Sequence, residues 1–293
     1  MSAYIVLIMI IVVCQMPCVN VKSDSIPIAS FTISYSEQGG RFELPINGAT
    51  GWAASQMQLR SEPSRSANVV TRLTLGQGFT IIAEYGDWWN VSLGGDNAVS
   101  GWVLHREAFI NLPDIIPSLV FDITNAYSSM KRSSGYEIPN ITGYALYEAR
   151  TFNSRLNRYE FIVPVLYSTS KRIFEAQQAA LADGNTIIIY EAFRPRITQQ
   201  SVVSNLRVLM DSNARVRSAI NTAPWGLSWF IATGTSNHQR GVAIDAGLGR
   251  IISYETRTSG MFYYIRITDF ERFTMPTPMH ELGLVNTFLT VCA

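Results

Sequence analysis

The sequence predicts two structural units, a small all-β barrel followed by an α+β domain. Three observations lead to this fold class. The chain has 293 residues, which is enough for one large domain or two modest ones. Short alternating apolar runs, separated by Gly, Asp and Pro, occupy the stretch from Gly51 to about Leu112. Beyond Pro113 the pattern changes to long amphipathic runs, each followed by a short strand-like segment.

The N-terminal segment predicts export. Its apolar run from Ala3 to Cys14 is too short to span a bilayer comfortably and is typical of a signal-peptide core. No Lys or Arg precedes this run, so an uncleaved membrane anchor is the alternative. We therefore expect a signal peptide or anchor over residues 1–22 and a polar linker over residues 23–48. The protein would then be secreted or associated with the cell envelope, with membrane contact only through an uncleaved N-terminus.

Charge argues against one class of partner. The formal net charge is +1, and the sequence contains no basic run. Because phosphate binding depends on clustered Lys and Arg, nucleic acid is not an expected partner.

The first unit is predicted from the strand pattern over residues 49–112. Candidate strands alternate with the turn sequences "GQG", "YGD" and "GGDN". Trp88, Trp89 and Trp102 either pack in the core of this barrel or line a ligand groove. His105, at the end of the last strand, is expected to be a surface or hinge residue rather than a ligand.

Four segments of this barrel carry a family resemblance. These segments are "LRSEPS", "LTLGQGFTI", "WWNV" and "SGWVL". They follow one another in the order seen in bacterial SH3 domains. The stretch resembles that family over roughly 60 residues. The resemblance implies a cell-wall-binding or targeting module of the kind appended to peptidoglycan-processing enzymes.

The second unit, residues 113–293, mixes helices and strands. Residues 168–184 predict a helix with Ser168 or Thr169 as its cap and Gly184 at its end. A buried strand is predicted over residues 187–190, and a second long helix over residues 197–220. Strand-like alternation returns in "GMFYYIRITDFERF". This order of elements is typical of an α+β domain.

The segment "SNHQRGVAIDAG" contains a possible metal site. His238 and Asp245 supply an imidazole nitrogen and a carboxylate oxygen, which are common zinc ligands. Seven positions separate them, and an extended chain would point the two side chains to opposite faces. A turn at Gly241 removes this objection, and a short strand over residues 242–246 would carry Asp245 into the site. The spacing alone is weak support for a metal site.

Three segments belong together in this unit: "YEAFRP" ending at Pro195, S-x-H-x-x-G-x-A-x-D from Ser236 to Asp245, and "MPTPMHEL". In this order they resemble the D-alanyl-D-alanine dipeptidase and carboxypeptidase family of zinc peptidases, most nearly the vancomycin-resistance-type D,D-dipeptidases. The resemblance implies an α+β zinc-peptidase domain with Zn²⁺ held by His238 and Asp245. It further implies that Arg194 stabilises the developing oxyanion, with an ion pair to Glu191 as the structural alternative. Ser236 would hold the substrate or cap the turn.

The sequence departs from this family after its third segment. Members carry a later E-x-x-H segment that supplies the general base and the third zinc ligand, whereas no histidine follows His280 here. We therefore expect a peptidase domain truncated at its C-terminus. His280 and Glu281 are both expected to contact substrate or shape a loop. The third-ligand role is the alternative for His280, and the general-base role is a weaker alternative for Glu281.

Two functions follow from these patterns. The first is a secreted zinc metallopeptidase that hydrolyses D-Ala-D-Ala or related peptidoglycan peptides and is targeted by the SH3-like module. The alternative is a non-catalytic cell-wall-binding protein whose peptidase domain is inactive.

Overall fold

The computed structural model describes residues 40–94, 98–122, 131–139, 151–275 and 280–283. The predicted signal peptide or anchor and the first part of the predicted linker lie outside these ranges. None of the described helices is long and apolar enough to cross a membrane.

The N-terminal unit is the predicted all-β barrel. Its seven strands are β1 (Thr50–Ala53), β2 (Met57–Arg60), β3 (Val69–Leu73), β4 (Gly78–Tyr85), β5 (Trp88–Ser92), β6 (Ser100–Leu104) and β7 (Ala108–Asn111). A 3-10 turn, His105–Glu107, connects β6 to β7. Along β2 and β6 buried side chains alternate with partly exposed ones, as expected for strands with one face on a core. Buried Ile81, Val91 and Val103 contribute to that core.

The three tryptophans of the barrel have different environments. Trp89 is completely buried, so the interpretation as a core residue is correct for this side chain. Trp88 is 9 % exposed and Trp102 is half-buried. His105 is half-buried, so of the two predicted positions, surface or hinge, a fully exposed surface position is wrong. Its ring packs against Trp89 and Tyr167 at centroid distances of 5.7 and 5.0 Å, and its Nε2 lies 3.0 Å from the carbonyl oxygen of Gly86.

The two units share one sheet and one core across the expected boundary at residue 113. A strand of the second unit, β13 (Pro164–Leu166), pairs antiparallel with β7 and extends the barrel sheet to the order β13-β7-β1-β4-β5-β6-β2-β3. The core that contains Trp89 continues into Tyr167 and Ile189 of the second unit. One buried cluster therefore contains residues of both units.

The end of the predicted linker is also part of the core. Phe42, Glu43 and Leu44 are buried, and the backbone N–H groups of Glu43 and Leu44 both donate to the carbonyl oxygen of Ile115. The segment has only two apolar residues, Phe42 and Leu44, and the sequence around it is polar. This short pattern is too weak to predict a buried segment. Over residues 42–44 the linker prediction is therefore wrong.

The second unit has the predicted α+β composition. Its helices are α1 (Leu112–Ile115), α2 (Tyr167–Ala182), α3 (Arg196–Ser212), α4 (Ala214–Asn221) and α5 (Leu227–Phe230). Its further strands are β8 (Val120–Phe121), β9 (Arg132–Ser133), β10 (Tyr136–Glu137), β11 (Thr151–Asn153), β12 (Arg158–Glu160), β14 (Asn185–Glu191), β15 (Asp245–Ser259) and β16 (Phe262–Arg272). Four of them form a sheet of order β16-β15-β14-β8, in which only the β14–β8 pair is parallel.

Most predicted helices and strands of this unit are confirmed, but they begin or end at other residues than predicted. Helix α2 begins at Tyr167 without a side-chain cap, so neither Ser168 nor Thr169 caps it. The second predicted helix is divided at Asn213, because the Asn213 side chain accepts hydrogen bonds from Arg215 N (3.0 Å) and Val216 N (3.2 Å) and so starts α4.

Candidate functional site

The sheet pairing places the three principal candidate residues at one end of β14. Strand β14 ends at Glu191, which pairs with Asp245 at the beginning of β15. Arg194 follows β14 directly, and His238 lies in a 3-10 turn (His238–Arg240) that precedes β15. The predicted short strand over residues 242–246 is wrong in its bounds: residues 242–244 are not in a strand, and the much longer β15 starts at Asp245.

Gly241 makes the turn that lets His238 and Asp245 face each other. Its φ is +66°, in the left-handed region that favours glycine. A Cβ at this position would lie 2.5 Å from the Phe109 ring and 2.8 Å from the backbone nitrogen of Leu166. The prediction that a glycine turn brings the two side chains together is confirmed.

His238 is oriented as metal-binding histidines usually are. Its Nδ1 lies 2.7 Å from the carbonyl oxygen of Ala192, an acceptor, so Nδ1 carries the proton. In the neutral ring Nε2 then carries the lone pair, and it lies 3.5 Å from Oδ1 of Asp245. Two ligands of a tetrahedral zinc ion lie about 3.4 Å apart, because each is about 2.1 Å from the metal. His238 and Asp245 therefore fit two positions of a zinc site.

A third ligand is not found in the part of the chain that the structure describes. Within those ranges, no group of three or more His, Cys, Asp or Glu side chains could hold a metal ion. The expected loss of an E-x-x-H segment concerns residues after Gly283, which lie outside the described ranges. The residues described here thus supply two donors to a possible metal.

Lys131 is a site residue that the sequence analysis missed. Its side chain is only 6 % exposed, and its Nζ lies 3.7 Å from Oε2 of Glu191 and 3.8 Å from Oδ2 of Asp245. Burial, followed by the neighbouring Arg194, lowers the pKa of Lys131, whereas the two carboxylates oppose this change. The polar sequence around it, "SSMKRSSG", is typical of an exposed loop, so no local signal pointed to a buried lysine.

Asp245 carries a strongly stabilised negative charge. Burial raises its pKa, but His238 in its protonated form and the charges of Lys131 and Arg194 together outweigh this effect. The net result holds the pKa of Asp245 well below its ordinary value. Oδ2 of Asp245 faces the two cations while Oδ1 faces His238, so the two oxygens have different neighbours.

Arg194 is buried and held in a fixed orientation. Its Nε donates to Oε1 of Glu191 (2.7 Å), its Nη2 bonds Oε2 of the same carboxylate, and its Nη1 donates to Oε1 of Gln199 (2.7 Å). Nη2 also lies 3.2 Å from Oδ2 of Asp245. The ion pair with Glu191, which was the structural alternative, is present. It also fixes the guanidinium plane beside Asp245, so the two interpretations of Arg194 are compatible.

Ser236 lies at the start of the His238 turn. It is buried, and its Oγ accepts a hydrogen bond from the backbone N–H of His238 at 3.2 Å. This is the turn-capping contact that the sequence analysis kept as an alternative. The residue also lines the pocket described below, so its predicted substrate contact stays a prediction.

His280 and Glu281 have mainly structural contacts. The His280 ring lies edge-on to Tyr190, with 6.1 Å between ring centroids, and its carbonyl oxygen accepts from Arg132 N. Burial and the charge of Lys131 lower the pKa of His280. The Glu281 carboxylate accepts from Gly135 N at 3.3 Å. These contacts agree with the loop-shaping role, but Glu281 also lines the pocket described below, so the substrate-side role and the base role of Glu281 stay predictions. Among the described residues, His280 does not form a metal-binding group with His238 and Asp245.

These residues surround a pocket with an aromatic wall. The cavity has a volume of about 380 Å³, and its lining includes Arg194, Lys131, His238 and Asp245. Trp225 and Trp229 form one side, with their rings edge-to-face at 5.0 Å. A pocket that combines fixed charges with apolar walls suits a small ligand with both polar and apolar groups.

Comparison with known families identifies the barrel. Residues 55–108 match the family model of the bacterial SH3 domain, inside the predicted range 49–112. Such domains commonly bind cell-wall peptidoglycan, so this part of the chain is a module of the cell-wall-binding type. No curated protein and no solved structure matches the chain. The resemblance of the second unit to zinc peptidases stays a prediction that rests on its motifs.

Proposed function

We propose that this protein is a secreted or envelope-associated zinc metallopeptidase that hydrolyses D-Ala-D-Ala or related peptidoglycan peptides. Its SH3 domain would hold it at the cell wall. The observation that carries the proposal is the pairing of His238 Nε2 with Asp245 Oδ1 at 3.5 Å, with Arg194 on the same carboxylate and all three residues on one pocket. Motifs far apart in sequence are thus brought together in space.

The residues have distinct tasks in this proposal. His238 and Asp245 would hold the metal, and Ala192 keeps the imidazole in the tautomer that leaves Nε2 free to bind. Bound zinc lowers the pKa of a coordinated water and polarises the peptide carbonyl. Arg194, fixed by Glu191, would place a permanent positive charge where the carbonyl oxygen becomes negative.

Lys131 adds a second positive charge to the same pocket. Together with Arg194 it faces the Asp245 carboxylate, and both cations are buried. Opposite charges attract strongly in such a partly dry site. With zinc held by His238 and Asp245, this side would carry a net positive charge and attract a peptide that ends in a free carboxylate, while the methyl groups of the peptide would lie against Trp225 and Trp229.

The alternative is a cell-wall-binding protein whose second domain has no catalytic role. The observation in its favour is that Lys131 and Arg194 already neutralise Glu191 and Asp245 through a buried ion-pair network. A network of this kind can also be purely structural.

Zinc content and turnover separate the two functions. We would purify the exported protein, measure bound zinc, and assay release of D-Ala from D-Ala-D-Ala and from a stem peptide. The Asp245→Asn variant removes the proposed ligand, and Asp269→Asn, at an exposed acid of β16, is its matched control.

The expected result is stoichiometric zinc and turnover in the wild type and in the Asp269→Asn variant, with both lost in Asp245→Asn and in His238→Ala. If the wild type neither binds zinc nor releases D-Ala, the peptidase function is rejected and the non-catalytic cell-wall-binding function is favoured. Zinc binding that survives His238→Ala would place the metal elsewhere.

A further inference from the structure

A second pocket lies on the barrel, on the β2–β3 side, and its lining is rich in arginine. The cavity has a volume of about 290 Å³. Four guanidinium side chains line it together with one indole and one carboxylate: Arg60, Arg65, Arg72, Arg106, Trp88 and Glu107. The family match identifies the domain but assigns no ligand to this surface.

Strand register places the arginines on one face. In β2 the buried residues Met57 and Leu59 alternate with Gln58 and Arg60, which therefore point outward together. Arg72 of β3 pairs directly with Gln58, so its side chain lies on the same outward face. The fold thus concentrates positive charge that the sequence does not show as a basic run.

The remaining two arginines come from connections beside these strands. Arg65 lies in the exposed turn between β2 and β3, and Arg106 lies in the 3-10 turn before β7. Arg60 Nη1 donates to the carbonyl oxygen of Ala67 at 2.6 Å, which fixes its direction. Three separate segments of the chain therefore supply the lining.

The charge of this pocket is not balanced by its own residues. The whole chain has a net charge of +1, yet four arginines line this cavity with one acidic residue, Glu107. That carboxylate lies 3.7 Å from Nε of Arg106 alone. Like charges held together at a surface repel one another, and a bound anion relieves this repulsion.

We propose that the arginine pocket binds an anionic group of the cell wall, a phosphodiester or a carboxylate. Guanidinium groups match such oxygens because they donate two parallel hydrogen bonds. The edge of Trp88 would contact the adjacent apolar part of the polymer. This inference rests on the wall-binding part of the proposed function and is independent of the peptidase part.

The test measures binding of the full chain to purified Gram-positive sacculi, before and after hydrofluoric acid removes their phosphodiester polymers. The Arg65→Gln/Arg72→Gln variant removes two exposed charges from the pocket. Arg207→Gln, at an exposed position of α3, is the matched control. Circular dichroism melting verifies that all three proteins are folded.

We expect the double variant to bind about tenfold or more weakly than the wild type, because two charge-assisted contacts are lost, and the control to bind normally. Loss of wild-type binding after acid extraction identifies a phosphodiester as the ligand, and retained binding identifies a carboxylate. Equal binding by the double variant and the wild type overturns the inference and leaves wall binding intact. If the wild type binds neither preparation of sacculi, both wall binding and the proposed role of the arginine pocket are rejected. The peptidase part of the proposed function is tested separately, by zinc content and turnover.

Discussion

Replacement of Glu43 by glutamine is expected to change how the stability of the protein depends on pH. The Glu43 side chain is fully buried, and its carboxylate accepts hydrogen bonds from Ser118 N (2.9 Å) and Gln178 Nε2 (3.2 Å). Burial raises the pKa of Glu43 to about 7 from 4.5, although the hydrogen bonds from Ser118 and Gln178 act in the opposite direction.

The sign of the effect follows from proton binding. In the unfolded chain Glu43 loses its proton near pH 4.5, whereas in the folded protein it keeps the proton up to about pH 7. The folded state therefore binds more protons in this window, and the free energy of unfolding decreases as the pH rises through it. The contribution is fully present below pH 4.5 and is lost above about pH 7. The two pKa values differ by an amount that corresponds to about 3 kcal/mol.

The assay is denaturant unfolding of the wild type and the Glu43→Gln variant at a series of pH values from about 4 to about 8. His105 and His280 also have lowered pKa values, but they contribute to both curves and cancel in the difference. We expect the stability of the wild type relative to the variant to fall by about 3 kcal/mol across the series. A difference that does not change with pH would refute the burial of Glu43 in the shared core.

Three further substitutions test other parts of the structure. Gly241→Ala should lower the free energy of unfolding by at least about 1–2 kcal/mol, because alanine is strained at φ +66° and its Cβ would overlap the Phe109 ring, and thermal melting measures this loss. Gln177→Leu should cost at least about 1–3 kcal/mol in denaturant unfolding, since it leaves the buried N–H of Ile187 without its acceptor at 2.9 Å. Arg194→Lys should reduce kcat for D-Ala-D-Ala by about 100-fold or more with bound zinc unchanged, because lysine lacks the planar fork that Glu191 orients; unchanged kcat would remove Arg194 from the proposed reaction.

Local patterns predicted most of the helices and strands, and they predicted part of the site. Arg194, Ser236, His238 and Asp245 were candidates from the sequence and line the pocket. The barrel strands followed from alternation and turn residues, and the meeting of His238 and Asp245 followed from Gly241. The pairing of β13 with β7 could not be predicted in this way, because a three-residue strand has too little pattern to show its partner. Lys131 was missed for a related reason. Its burial depends on carboxylates more than 50 residues away in sequence, and its own neighbours are polar.

The connection between barrel and pocket bears on how a wall-bound enzyme of this kind would select its substrate. Strand β7 pairs with β1 of the barrel on one side and with β13 on the other, and the N–H of Leu166 at the end of β13 donates to the carbonyl oxygen of Gly241 at 2.9 Å. Phe109 of β7 also contacts Gly241, so the turn that positions His238 rests directly on the barrel sheet. A flexible polar linker would let the pocket sample many peptides around one binding point. If the barrel binds the wall as proposed, the shared sheet would instead hold the pocket at a fixed position from the binding surface, and such an enzyme would accept only peptides at that position relative to the bound polymer.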